Sequence, residues 1–406
     1  MDVDVRPCTT TEELADALAV IGHYFGLERS IENAERFGNW IELDRMHGAW
    51  DGDRIVGGAG AFTFDVSVPG GNLVPCAGVS VIGVQPTDRR RGVMAALMRA
   101  QLDDIPRRGE PLASLWASEG TIYGRFGYGL ASQQASTALP KERTAFAHPF
   151  EPRGRVRFVT AAEALELFPP LYDSVRSVRP GMFSRSRAWW ETRRLADDAT
   201  RRRPGQGPLH LVLLELDGQP AGYAMYRIAP GITNGITTAK VIVLEVIAPT
   251  PEAERELWRF VLDIDWVATI ECDYLPTDSA LVLLLAEPRY MKQTISDAFW
   301  VRLVDVGEAL KACALADGPP IVLEIDDAFC PWNAGRWHVE RGKVERTEED
   351  SDLRLDVTAL GTVYLGGFTF GDLTRALRAT ELRPGGAARA DALFASGARP
   401  WCPEIF

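Results

Sequence analysis

Apolar and polar positions alternate in two rhythms along this chain, and each change of rhythm marks the junction of a strand and a helix. DVDVRPCT opens as a strand, and Thr10 with Glu13 three residues later forms a capping box for a helix over EELADALAVIGHYFG. SIENAERFGNWIEL is a second helical segment, after which HGAWDGDRIVGGAGAFTFDVSV reads as strands around a DGD turn. LVPCAGVSVIGV continues the alternation as far as Pro86, which has no N–H for a ladder. From Gly92 to Leu102 the period becomes helical, placing Val93, Ala96, Leu97 and Ala100 on one stripe. PLASLWAS supplies another strand and Glu119 to Phe126 a short helix, which completes an α/β unit over residues 1–148.

Beyond the Pro- and Gly-interrupted join AHPFEPRGRVRFV, the same order returns. LHLVLLELDGQPAGYAMYRI gives two strands around a polar turn, and KVIVLEVIAPTPEAERELWRFVLDID gives strand, proline, helix. This echo, over 149–290, lacks a basic and glycine-rich cluster after its strand, so it reads as a duplicated unit without a ligand loop. The arginines of ADDATRRRPGQGP read as exposed charge in a solvated loop. From 291 to 406 the pattern changes to α+β. PIVLEIDD, GRWHVERGKVERT, LRLDV and VYLGGFTF are expected strands, beside helices in VGEALKACAL and GDLTRALRAT. The tail ARPWCPEIF carries Trp401 and Phe406 where termini are often polar, and docking of that tail is expected.

Composition narrows the chemistry. The 406 residues are 46% hydrophobic, enough for several cores, and the net charge of -12 argues against a phosphate-backbone binder and for a cationic ligand where acid gathers in a cleft. Neither a leader-like N-terminus nor an apolar run approaching about eighteen residues is present, so a cytoplasmic protein without a membrane span is expected. The six cysteines are scattered, the five histidines form no HExxH, and no metal is expected. Cys402 and His23 carry bland readings, as an inert thiol and a hydrogen-bonded helix residue.

The most informative stretch is VSVIGVQPTDRRRGVMAALMRAQL. Arg89, Arg90, Arg91 and Gly92 fall between a buried strand and an amphipathic helix, where free helix N–H groups and three guanidiniums favour a pyrophosphate. Neither GxGxxG nor GxxxxGK[ST] occurs. In EGTIYGRFGYG four glycines indicate tight turns or close approach, which leaves Tyr123 and Tyr128 open as core aromatics or as a proton donor beside a ligand.

Arg89-x-x-Gly92 resembles the acyl-coenzyme A loop of GCN5-related N-acetyltransferases (GNAT), [QR]-x-x-G-x-[GA], with Met94 in place of the last small residue. The longer string VQPTDRRRGVMAALM, the ASEGTIYGRFGYG segment, the second copy and the strand-rich tail ending in Phe resemble the Eis (enhanced intracellular survival) N-acetyltransferases over essentially the whole chain. The resemblance implies two tandem GNAT-like domains, the second degenerate, and a sterol-carrier-like α+β domain. It implies acetyl-CoA as co-substrate, transfer to amines of cationic acceptors such as aminoglycosides with the antibiotic resistance that follows, and a homohexamer. Protein lysine or polyamine acceptors, and a non-enzymatic coenzyme A sensor or lipid carrier, are the alternatives.

For the site, the resemblance implies that the backbone of Val81, Ile82 and Val84 holds the pantetheine arm and acetyl group, and that Arg89, Arg90, Gly92 and Val93 hold the pyrophosphate. Tyr123 matches the general acid and the carboxylate of Phe406 the general base, with Tyr128 as packing. Ser118 and Arg125 fall at cofactor and pocket contacts. Glu28 and Glu404, with Tyr24, Phe25, Phe37 and Trp40, are expected to form an acidic, aromatic-lined acceptor cleft. Lipid binding by the third domain would need Trp300, Trp332, Trp337 and Phe368 to line one open tunnel.

Overall fold

A computed structural model describes residues 3–198 and 202–406. The chain divides into two compact units, one of Met1–Ser132, Ala298–Gly397 and Glu404–Phe406, the other of Gln133–Asp297 and Ala398–Pro403.

The first unit contains a seven-stranded sheet. Its strands run β1 (Asp4–Pro7), β2 (Met46–Asp51), β3 (Arg54–Ser67), β4 (Leu73–Val84) and β5 (Leu112–Trp116), then Phe299–Leu303, then β6 (Gly129–Leu130). All pairings are antiparallel except β4 with β5. The helices beside it are α1 (Thr11–Gly22), α2 (Ile31–Phe37), α3 (Val93–Asp104) and the single turn α4 (Gly120–Tyr123). Thr10 caps α1 by accepting from the Glu13 N–H at 3.2 Å, but the Glu13 carboxylate turns to Thr9 and Arg6, so only half of the expected capping box forms. α1 lies close on the sheet because glycines face it: a Cβ on Gly58 would stand 2.8 Å from the Ala17 carbonyl oxygen.

The same unit holds a five-stranded sheet in the order Lys343–Arg346, Gly335–Glu340, Ile321–Asp326, Leu353–Asp356, Ala379–Glu381. VYLGGFTF is not a strand. It comprises the end of the helix Val357–Val363, a turn, and the Thr369-capped start of the helix Phe370–Arg375. The first of these helices is buried nearly throughout, and it passes so close to the seven-stranded sheet that a Cβ on Gly361 would lie 2.4 Å from the Val301 carbonyl oxygen. A helix without a solvent face shows no polar stripe, hence its strand-like pattern. Of the four aromatics considered for a lipid tunnel, Phe368 is half-buried in the turn before the helix Phe370–Arg375. Trp300 packs against Gly120, Trp332 is half-exposed with its indole N–H on the Val304 carbonyl, and Trp337 is buried against Gly307.

The second unit contains another seven-stranded sheet, ordered Thr294–Asp297, Gln133–Pro140, Thr269–Pro276, Lys240–Ile247, Gln219–Ala229, Leu209–Leu216, Arg155–Phe158. Three strands thus lie across the divisions expected at 148 and 290, Gln133–Pro140 and Thr294–Asp297 in this second sheet and Phe299–Leu303 in the first. Gln133–Pro140 pairs with Thr269–Pro276 in the second sheet, while Phe299–Leu303 pairs with β5 in the first, because each satisfies the open edge of the sheet it joins. In the loop expected as exposed charge, Arg202 is paired with Asp197 at 2.6 Å, whereas Ala199, Thr200 and Arg201 lie outside the described residues.

Candidate active site

Two local features of β4 open the site. Gly58 faces Gly83 and Gly60 faces Ser80, so β4 carries one residue more than β3 between these pairs, and Val81 takes φ 48° in the resulting bulge. A bulge takes backbone polar groups out of the ladder and turns them elsewhere. On the other side, β4 pairs with β5 only over Cys76–Gly78 and Leu112–Ser114. Past that point lies a cavity of about 480 Å³, lined by Val79 to Ile82, by Leu115 to Ser118, by α1 and α2, and by Tyr123, Ile405 and Phe406.

Beyond the cavity, residues 85–92 form the turn into α3. Arg90 and Gly92 both have left-handed backbones, φ 62° and 84°, and a Cβ on Gly92 would meet nothing within 4 Å. Among the described residues no side chain caps α3, and its first turn holds no acidic residue. The N–H groups of its first turn therefore remain available to an anion, and successive residues in such conformations form a concave cradle for one. The three arginines differ. Arg91 is held by Asp88 and by Asp51 at 3.0 Å, and Arg54 also binds Asp88, so this cluster braces the turn. Arg89 and Arg90 are exposed. Val93 is buried as the first residue of α3, and Met94 packs partly buried against the same core cluster as Ile82.

Tyr123 ends α4, is only 7% exposed, and lines the cavity together with Ser118. Burial raises its pKa above the ordinary tyrosine value, so the phenol stays protonated through neutral pH. Tyr128 is fully buried, meets Tyr123 edge-on at 6.3 Å between ring centres, and does not line the cavity. Phe406 lies 5.2 Å from Phe64 and 6.1 Å from Phe62 between ring centres, while the Trp116 indole N–H donates to the Glu404 carbonyl at 2.7 Å. The last residues are thereby fixed beside β4 and β5.

Among the expected acceptor contacts, Glu28, Phe25, Phe37 and Trp40 line the cavity. Three others do not. Arg125 points to the Ile122 carbonyl and lies against Phe126, the Glu404 side chain is buried away from the cavity lining, and Tyr24 turns to the Arg89 turn. His23 is exposed and also outside the lining. The sequence reading missed Asn33, Arg36 and Trp116, all of which line the cavity. Asn33, Arg36, Phe37 and Trp40 recur at helical spacing, a signal that would have placed the first two on the same face as the aromatics. Among the described residues, no group of three or more His, Cys, Asp or Glu is placed to hold a metal, and no helix is long and apolar enough to cross a membrane.

A bulged strand splayed from its parallel neighbour, followed by an open helix N-terminus, defines the class, and comparison with known sequences agrees. Residues 4–131 and 181–303 each match a family described as "Acetyltransferase (GNAT) domain", and 306–403 match a "Sterol carrier protein domain". The chain is an N-acetyltransferase with two GNAT domains and a C-terminal sterol-carrier domain. An uncharacterized N-acetyltransferase of Streptomyces avermitilis is 40% identical over 95% of both chains. The N-acetyltransferase Eis of Mycobacterium tuberculosis is 32% identical over 86% of this chain and 85% of its own. The crystal structure of Eis1 from Mycobacterium abscessus superposes with a TM-score of 0.87 at 36% identity, covering 99% of this chain and 100% of that one. The chain belongs to the Eis family of GNAT N-acetyltransferases.

Proposed function

We propose that this enzyme transfers acetyl directly from acetyl-CoA to a primary amine of a cationic multiamine acceptor, aminoglycosides included. The observation that carries the reading is that Tyr123 and Phe406 line one cavity against the bulge of β4. The open αL cradle at Arg90 and Gly92 fits a pyrophosphate, with Arg89, Arg90 and the Val93 N–H as its holders, and the bulged backbone of Val81 and Ile82, with Val84 beyond it, fits an amide-bearing arm. Acetyl-CoA supplies there an activated carbonyl with a thiolate leaving group.

The residues of the chain then handle protons. An ammonium that becomes an amide gives up two. The Phe406 carboxylate accepts from the amine, directly or through water, and Tyr123 Oη holds the proton that the leaving sulfur takes, so that one proton in all is released to solvent. Backbone N–H groups of the bulge stabilise charge developing on the carbonyl oxygen without reorganising. A second reading, a lysine side chain or other acceptor with a single amine, is favoured by one observation: among the described residues Glu28 is the only acidic side chain lining the cavity, and Arg36 lines it too. Assignment of roles to 1–148, 149–290 and 291–406, a homohexamer and a cytoplasmic location belong to the same reading, and sedimentation equilibrium tests the hexamer.

Mass spectrometry of products from acetyl-CoA with aminoglycosides, polyamines and lysine peptides tests the acceptor class. Tyr123→Phe keeps the ring and removes the proton, so kcat should fall about 100-fold or more with acetyl-CoA binding retained. Deletion of Phe406 moves the carboxylate by about one residue, and kcat/KM should fall at least about tenfold. Full activity in both variants, with unchanged circular dichroism, would reject the proton path.

A further inference from the structure

The short turn after α1 places Tyr24 between two parts of the donor site. Its hydroxyl donates to the carbonyl of Val84, the last residue of β4, at 2.6 Å. The same oxygen accepts from Arg89 Nε at 3.1 Å, and the guanidinium lies over the ring with its carbon 5.1 Å from the centroid. The phenolic proton is committed to Val84, so Tyr24 Oη can only accept from Arg89. Arg89 thereby spends Nε on the protein, and its two Nη groups remain to read an anion bidentately. An exposed arginine on a turn has many rotamers, and this contact selects one of them before any ligand arrives. The neighbouring residues Phe25, Leu27 and Glu28 line the acceptor cavity, so the turn that orients Arg89 also forms part of the acceptor rim.

We propose that Tyr24 is a positioning residue for the donor, acting through Arg89 to pre-set the guanidinium that grips the pyrophosphate of acetyl-CoA. This rests on the donor placement given above. Tyr24 is 41% exposed, so Tyr24→Phe should fold normally while losing both hydrogen bonds. Acetyl-CoA titrated calorimetrically into the full chain should bind about three- to tenfold more weakly to Tyr24→Phe and at least about tenfold more weakly to Arg89→Ala. The double variant should bind no more weakly than Arg89→Ala, because the hydroxyl acts through that side chain. At saturating donor, kcat and the acceptor KM of Tyr24→Phe should match the unsubstituted enzyme, a split that a general loss of structure would not produce. Normal affinity in Tyr24→Phe, or additive losses in the double variant, overturns the proposal and leaves the donor placement standing. Normal affinity in Arg89→Ala overturns both.

Discussion

The two GNAT copies keep one backbone frame and differ at the points where chemistry would occur. Both have a strand with a bulge two or three residues before its end, a parallel neighbour, and a following helix. In the first copy eight residues, 85–92, join strand to helix, whereas in the second only three, 248–250, do so. The second helix, Pro251–Asp263, is capped by the Thr250 hydroxyl and carries Glu252 and Glu254 in its first turn, which makes its N-terminus self-satisfied and repellent to an anion. Where α4 ends in Tyr123, the corresponding short helix ends in Leu284. At the first paired position past the bulge β4 has Gly83, whereas the second strand has Glu245, buried and bound by Arg185, Arg194 and Tyr223. Its cleft narrows to about 100 Å³ and is lined by Trp401, whose indole N–H donates to the Tyr274 carbonyl at 2.9 Å. A GNAT frame is therefore compatible with either a site or a sealed support, and loop length and capping decide between them.

If the second copy is support, its buried charges matter to stability and not to the donor. Glu245→Ala would leave Arg185 buried without its carboxylate, at a cost of about 3–5 kcal/mol. Urea unfolding should show this loss, with acetyl-CoA affinity unchanged in the folded variant. Changed affinity at full stability would break the comparison. Acid should do the same work as the mutation. Burial pushes the Glu245 carboxyl up, but Arg185 and Arg194 outweigh it and hold the pKa at about 2, below the ordinary 4.5. The group's stabilising contribution is thus complete above about pH 4.5 and lost as pH falls through about 2.

The first copy should respond in the opposite way. Arg89→Ala with Arg90→Ala removes two exposed charges from the turn and should raise the KM for acetyl-CoA by about 10- to 100-fold, because charge-assisted phosphate contacts are lost. Thermal unfolding should hardly change, since Arg91, Asp88 and Asp51 still brace the turn.

How far the sequence foretold this depended on whether a signal was local. The strand, Pro86 and arginine-glycine helix start were legible because turn chemistry and helix period are written in neighbouring residues. The strand exchange was not, since Gln133–Pro140 and Phe299–Leu303 alternate much as any strand does and their partners lie far away in sequence. Tyr123 and Phe406 came from resemblance, and neither spacing nor composition set them apart from core aromatics. Arg91 could not be told from Arg89 and Arg90, because only the fold brings Asp51 to it. Tyr24 was grouped with the acceptor aromatics for a similar reason: its partner Val84 is 60 positions away.

The smallest expected effect tests the capping difference itself. In the second copy the Thr250 hydroxyl accepts from the Ala253 N–H at 3.2 Å, in a helix that also begins with proline. Thr250→Ala removes that acceptor and should cost about 1 kcal/mol of stability. It reopens one N–H, but Glu252 and Glu254 stay in the first turn and the linking segment remains three residues long. No second binding event for acetyl-CoA should therefore appear in calorimetry, and the stoichiometry per chain should be unchanged. A second site in this variant would mean that the cap alone had sealed the second copy. Unchanged stoichiometry with the expected loss of stability would assign the difference to the missing eight-residue turn, with its left-handed Arg90 and Gly92.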